Sequence, residues 1–138
     1  MRISVALGLG FMGLLPGATH AQETCSDATL KGSYVYSTDG IVDPVQPGVR
    51  RVHVGILTFD GTGKFSGKQS SSRGGKAARE TLEGSYQIAP DCSGSLTQSS
   101  ILTPGTWTHW DLYVTRDGRR GEMTRMDNGS MASRSFGK

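Results

Sequence analysis

Two histidines in the body of the chain, His53 and His109, are the side chains whose type could carry general acid–base chemistry. Each lies in the middle of a strongly β-forming segment. His109 alternates with Asp111 and Tyr113, which places the three on one face of a strand. An imidazole beside a carboxylate and a phenol can exchange protons with a substrate, so His109, Asp111 and Tyr113 are the candidate catalytic group. The alternative is a solvated outer face on which Trp107 and Tyr113 flank His109 as cross-strand packing. In an eight-stranded barrel both histidines could point into the lumen. Two histidines without a third ligand do not make a metal site, and no cofactor is expected.

Energetics decides between the two faces of that strand. Trp110, Leu112 and Val114 occupy the opposite face, and burying each gains roughly 2 kcal/mol. Burying an unpaired Asp111 costs several kcal/mol on the same scale of reasoning. Period-two geometry forbids both sets from being inside. The expectation is therefore Trp110, Leu112 and Val114 inward, with His109 and Asp111 outward.

Other familiar chemistry is missing from the pattern. There is no Gly-x-Ser-x-Gly elbow, and Gly129-Ser130-Met131 lacks the second glycine. Asp60-Gly61-Thr62-Gly63 offers Thr62 and Lys64 where a calcium loop needs oxygen ligands and a closing glutamate. Glu80 and Glu83 point to opposite faces if they share a strand. The Ser70 to Lys76 stretch follows a strand but opens no helix, so it is not a phosphate loop. What remains is an aromatic inventory. Tyr34, Tyr36, Phe59, Tyr86, Trp110 and Leu112 are the candidate ligand-binding residues of a barrel interior, the alternative being a packed core.

The elements that must position these residues are short strands. Val52 to Phe59 is apolar and β-branched, Asp60-Gly61-Thr62-Gly63 is a turn, and Lys64-Phe65-Ser66 resumes the strand. The spacing predicts a three-residue hairpin loop, a type I turn over Gly61-Thr62 with Gly63 left-handed, and the Asp60 carboxylate folded onto the turn amides. Ser26-Asp27-Ala28-Thr29 predicts one short helical turn capped by Ser26. Leu30 to Tyr36 alternates as a half-buried strand, and Thr38 to Gly48 reads as a loop. Gln69 to Lys76 also reads as a loop, polar and glycine-rich. Thr81 to Ile88 repeats the Thr-Leu-x-Gly-Ser-Tyr of Thr29 to Tyr34, either as a relic of duplication or because two strands share the same packing need. Weak and strong strands follow at Ser95 to Leu102, Trp107 to Thr115, Gly121 to Met126 and Ser130 to Phe136. About eight short strands joined by tight turns predict an all-β chain, a single small antiparallel β-barrel, with a β-sandwich as the alternative.

Length and composition set the context. Arg2, the apolar run Ile3 to Leu15, Pro16-Gly17 and the small residues up to Ala21 predict a signal peptide over residues 1–21. That run is shorter than the roughly 20 residues of a membrane span. Cys25 is separated from it by Gln22-Glu23-Thr24, which argues against lipidation. Of 138 residues about 117 then remain, 22–138, the size of one domain. The expected location is exported, in the periplasm or outside the cell. Cys25 and Cys92, the only cysteines, are expected to form a disulfide there. The formal charge of +3 is too mild for a nucleic-acid partner. It is unevenly spread, with Lys64, Lys68, Arg73, Lys76 and Arg79 in one run and Arg116, Arg119, Arg120, Arg125, Arg134 and Lys138 in another. Those runs either meet an anionic envelope polymer or serve as solvated faces that blunt strand edges.

Three motifs carry a resemblance. They are Cys25 with Gly32-x-Tyr34, then Gly55-x-Leu57-x-Phe59-Asp60-Gly61-x-Gly63, and Gly84-x-Tyr86 with Asp91-Cys92-x-Gly94. In these the chain resembles a group of small exported bacterial β-barrel proteins of uncharacterised function, and its strand count is similar to calycin-type or allene-oxide-cyclase-like barrels. The lipocalin Gly-x-Trp opening motif is not present. The resemblance implies a binding module that holds a small apolar or aromatic ligand in the barrel mouth. A barrel enzyme of cyclase or isomerase type using His109, Asp111 and Tyr113, and an envelope interaction protein acting through basic loops, are the alternatives.

Overall fold

The computed structural model describes residues 24–42 and 49–138. The expected signal peptide at 1–21 lies outside them, as does the greater part of the expected loop up to Gly48. Eight strands follow in order: β1 (Lys31–Val42), β2 (Arg50–Asp60), β3 (Lys64–Arg73), β4 (Lys76–Ile88), β5 (Ser93–Ser100), β6 (Trp107–Val114), β7 (Arg120–Arg125) and β8 (Met131–Gly137). Each pairs antiparallel with the next, and β8 returns to β1 through pairs such as Tyr36–Phe136 and Thr38–Arg134. The sheet is a closed barrel. Closure excludes the sandwich and leaves no open edge.

Two expected loops are strand instead. β1 continues past Thr38 to Val42, and β3 runs through Gln69-Ser70-Ser71-Ser72 to Arg73. The connection there shrinks to Gly74-Gly75, both at positive φ (51° and 83°), as a two-residue type I′ turn requires. The polar stretch has no apolar side chain to bury, so its alternation is invisible to a hydrophobic pattern. It is nevertheless alternating: Gln69 and Ser71 are buried while Ser70 between them is exposed. The interior that they face is polar.

The Asp60 turn also departs from expectation in one detail. Asp60 Oδ1 accepts from the amides of Thr62 (2.7 Å) and Lys64 (3.0 Å), as anticipated. Gly61, however, has φ 84°, which a type I turn does not allow at that position. The repeated Thr-Leu-x-Gly-Ser-Tyr hexamer serves two different needs. Gly32 takes φ 91° with nothing near its missing Cβ, whereas a Cβ on Gly84 would strike the Thr97 carbonyl and the Phe65 ring.

One end of the barrel is a packed apolar core. Leu30, Tyr34, Leu57, Phe59, Leu96 and Leu112 are all essentially inaccessible. The 3-10 turn Asp27–Thr29 closes this end, with the Ser26 amide donating to Thr29 Oγ1 (3.0 Å). Tyr86 hydroxyl donates towards the carbonyls of Asp27 and Leu30 (2.9 and 3.0 Å), and Tyr34 hydroxyl reaches the Gly118 carbonyl (2.5 Å). A buried Cys25–Cys92 disulfide ties the N-terminal segment to the β4–β5 turn across a sequence separation of 67. Constraining a loop of that length is worth about 4 kcal/mol by chain-entropy arithmetic. Among the described residues no helix is long and apolar enough to cross a membrane.

Candidate functional site

The other end of the barrel has a lumen built from polar side chains. Starting from the apolar end, the inward positions of each strand run Tyr34, Tyr36, Thr38 on β1 and Phe59, Leu57, Gly55, His53 on β2. The same succession from apolar to polar occurs on β3 (Phe65 to Gln69 and Ser71), β4 (Leu82 to Glu80), β5 (Leu96 to Gln98) and β8 (Phe136 to Arg134). His53, Gln69, Glu80, Gln98 and Arg134 are each 6 % exposed or less. They line a cavity of about 270 Å³ whose wall also includes Trp110, with Leu102, Thr103 and Thr106 of the β5–β6 loop at its rim.

A single network explains how so many polar groups are buried. Glu80 accepts from Arg51 Nη2 (2.7 Å), from Gln69 Nε2 (2.5 Å) and from the Ser100 hydroxyl. Its carboxylate is 1 % exposed, and three donors compensate for the lost water. Because the Gln69 amide nitrogen must donate to that carboxylate, its Oε1 is the acceptor that meets Tyr36 hydroxyl and His53 Nδ1 (3.2 Å). His53 therefore carries its proton on Nδ1 and a lone pair on Nε2. Burial pushes the His53 pKa down from 6.5 to about 3, helped by the nearby Arg51, Arg134 and Arg125 and opposed by the bond to Gln69. Burial likewise raises Tyr36 to about 12, so its hydroxyl stays protonated.

Arg134 is the second pole of the site. It is 2 % exposed, lies over the Trp110 ring at 4.1 Å and over Tyr36 at 5.0 Å, and donates from Nη1 to Gln98 Oε1 at 2.8 Å. Burial lowers its pKa to about 10, which leaves it a cation at neutral pH. Two aromatic faces and one neutral amide hold this charge. Among the described residues the one carboxylate lining the cavity, Glu80, is bonded to Arg51.

A pH dependence of stability follows from His53. The unfolded chain takes up a proton on this imidazole below about pH 6.5, whereas the folded protein does so only near pH 3. Stability is thus complete above that unfolded value and falls as the pH drops through the window between the two. At about 1.36 kcal/mol per unit, lowering the pH from 6.5 to 5 costs about 2 kcal/mol. Urea melts at the two pH values measure it, and His53→Phe should flatten the slope. An unchanged slope in that variant would place the proton uptake elsewhere.

The sequence-based site residues divide between several places. Trp110, Leu112 and Val114 face inward and His109 faces outward, with its side chain 60 % exposed, in the arrangement that burial energetics required. Tyr113 is exposed and Asp111 is half-buried on that outer face. The partner of His109 is Asp127, which accepts from its Nδ1 at 2.8 Å and from its amide at 3.0 Å, and also takes Arg125 Nε at 2.8 Å. Partial burial works against the Asp127 carboxylate, but the bonds from His109 and Arg125 prevail and lower its pKa. His109, Asp111 and Tyr113 do not border the cavity. Tyr34, Phe59, Tyr86 and Leu112 belong to the packed apolar end, while Tyr36 and Trp110 stand at the boundary with the polar lumen. A broader groove of about 810 Å³ lies on the outer wall between Ile56, Thr81, Ile101 and Trp107, without a buried charge among the described residues of its lining.

The residue pattern does not single out Gln69 or Gln98, reads Arg134 as one charge of a basic run, and sets Glu80 aside as a pair with Glu83. The signal that finds them is parity. Each has the same parity as an apolar inward residue two to four positions along its own strand, namely Phe65, Leu96, Phe136 and Leu82. Among the described residues no group of three or more His, Cys, Asp or Glu side chains could hold a metal ion. No family model, no curated protein and no solved structure matches this chain.

Proposed function

We propose that the protein is an exported binding module whose polar lumen holds a small organic anion. The observation that carries this reading is the buried Arg134 guanidinium, which has two aromatic faces and a neutral amide around it but, among the described residues, no carboxylate of its own. Burying a cation costs several kcal/mol even after relaxation. Cation–π contact with Trp110 returns about 2 kcal/mol, so an anion entering the lumen has a large favourable interaction to make. A cavity of about 270 Å³ suits a ligand of a dozen or fewer heavy atoms. The apolar half of the interior is filled by its own side chains, which favours a polar ligand over the apolar one suggested by the aromatic inventory. The disulfide suits an oxidising compartment outside the cytosol. Calycin-type barrels hold ligands at the same place, an analogy of fold alone.

The test is calorimetric titration of the purified protein with benzoate and with its neutral isostere benzamide. Benzoate should bind and benzamide should bind at least tenfold more weakly. Arg134→Gln should abolish the difference. Equal binding of the two, or benzoate binding unaffected by Arg134→Gln, would overturn the anion reading.

A further inference from the structure

The lumen holds unpartnered polar atoms, and their order along the wall is informative. Thr38 on β1 pairs directly with His53 on β2 and, on its other side, with Arg134 on β8. The three residues are thus consecutive members of one row running round the barrel, on adjacent strands spaced about 4.8 Å apart. All three are buried, and each has one polar atom without a hydrogen-bond partner among the described residues: Arg134 Nε, Thr38 Oγ1 and His53 Nε2. Arg134 and His53 both line the cavity. Leaving a buried donor or acceptor unsatisfied costs about 1–3 kcal/mol each, and folded proteins seldom tolerate three in a row without a use for them.

The chemistry of the three atoms differs in a set order. Arg134 Nε–H can only donate, the Thr38 hydroxyl can donate or accept, and His53 Nε2 can only accept. The last point rests on the Glu80–Gln69–His53 relay, which fixes the proton on Nδ1. An anion satisfies Arg134 but not His53, because a carboxylate oxygen and an imidazole lone pair repel. A ligand that satisfies the whole row needs an anionic oxygen at one end and a hydrogen-bond donor at the other.

From this row we infer that the ligand of the lumen is a small organic anion that also carries a hydroxyl or N–H donor, its anionic group on Arg134 and its donor on His53 Nε2. The inference rests on the anion reading above and narrows it to a class that includes hydroxy acids. His53 then acts as a specificity residue: it rejects anions that lack the donor, because they leave Nε2 buried and unpaired. Gln69 and Glu80 are positioning residues that act through it by holding the tautomer.

The experiment compares benzoate, 3-hydroxybenzoate and 4-hydroxybenzoate by calorimetry on wild-type protein, His53→Phe and Arg134→Gln. At least one hydroxybenzoate should bind about tenfold more tightly than benzoate to the wild type. His53→Phe should remove that preference, and Arg134→Gln should weaken all three. A wild-type readout independent of folding in the variant is the 15N resonance of His53 Nε2, which should move with the preferred hydroxybenzoate and stay in place with benzoate. If benzoate and both hydroxybenzoates bind alike through Arg134 and the resonance does not respond, water serves Nε2, the inference falls and the anion reading stands. If none of the three binds, both fall.

Discussion

Glu80→Gln should destabilise the barrel by about 3–5 kcal/mol, the cost of removing one member of a buried ion pair. The substitution is nearly isosteric, so the loss is electrostatic and not steric. Glu80 accepts three hydrogen bonds, from Arg51, Gln69 and Ser100, with its carboxylate 1 % exposed. A neutral amide there leaves Arg51 without a counter-charge among the described residues, in the same lumen as Arg134. Its amide oxygen can keep the bonds from Arg51 and Gln69, which share Oε1, only with its NH2 turned onto the Ser100 hydroxyl, which must reverse from donor to acceptor. Equilibrium urea unfolding measures the loss. A second substitution, Arg51→Met, should recover part of it, because an absent pair costs less than half of one. A single-variant loss below about 1 kcal/mol would mean that solvent screens Arg51 and Arg134 as it screens surface pairs.

Phe59→Ala should cost a similar amount, about 3–5 kcal/mol, at the opposite end of the barrel and for a different reason. Phe59 is 1 % exposed and stands at the centre of an aromatic cluster. Tyr34 and Tyr86 meet it edge-on at centroid distances of 5.4 and 4.9 Å, with Phe65 and Phe136 tilted against it at 5.7 and 6.0 Å. Strands closed into a barrel and pinned by the Cys25–Cys92 bridge cannot collapse far into the space left behind. Val54→Ala, five residues earlier on the outer face, is the control and should stay within about 0.5 kcal/mol. A loss at Phe59 no larger than at Val54 would mean that the apolar end is not the mechanical core of the fold.

Much of the architecture is written in local pattern. Val52 to Phe59, Asp60 to Gly63 and the Trp107 to Thr115 stretch each specify strand or turn without help from distant residues, because β-branched runs and glycine-rich breaks are local preferences. The facing of Trp110, Leu112 and Val114 followed from the cost of burying Asp111 against the gain of burying three apolar groups. The disulfide followed from there being only two cysteines, the all-β class from the repeated short strands.

The candidate site was legible in His53, as one of two readings, and in Tyr36 and Trp110 as interior aromatics. Hydrophobic alternation identifies an inward face only while that face is apolar. At the far end of the barrel the inward residues are Thr38, His53, Gln69, Ser71, Glu80, Gln98 and Arg134, so the alternation continues in polar side chains and disappears from view. That is why Gln69 to Arg73 reads as a loop, and why Arg134 reads as one more surface charge in a basic tail. Closure into a barrel is what changes their meaning. It brings β8 against β1, sets Arg134 beside Thr38 and Thr38 beside His53, and carries Glu80 to within hydrogen-bond reach of Arg51. Neighbours 29 residues apart on β2 and β4 have no local signature. What the amino-acid order decided was the strands and their turns; what only tertiary structure decided was that seven polar residues scattered over six strands face one lumen, where low dielectric gives their charges and unpaired atoms consequence.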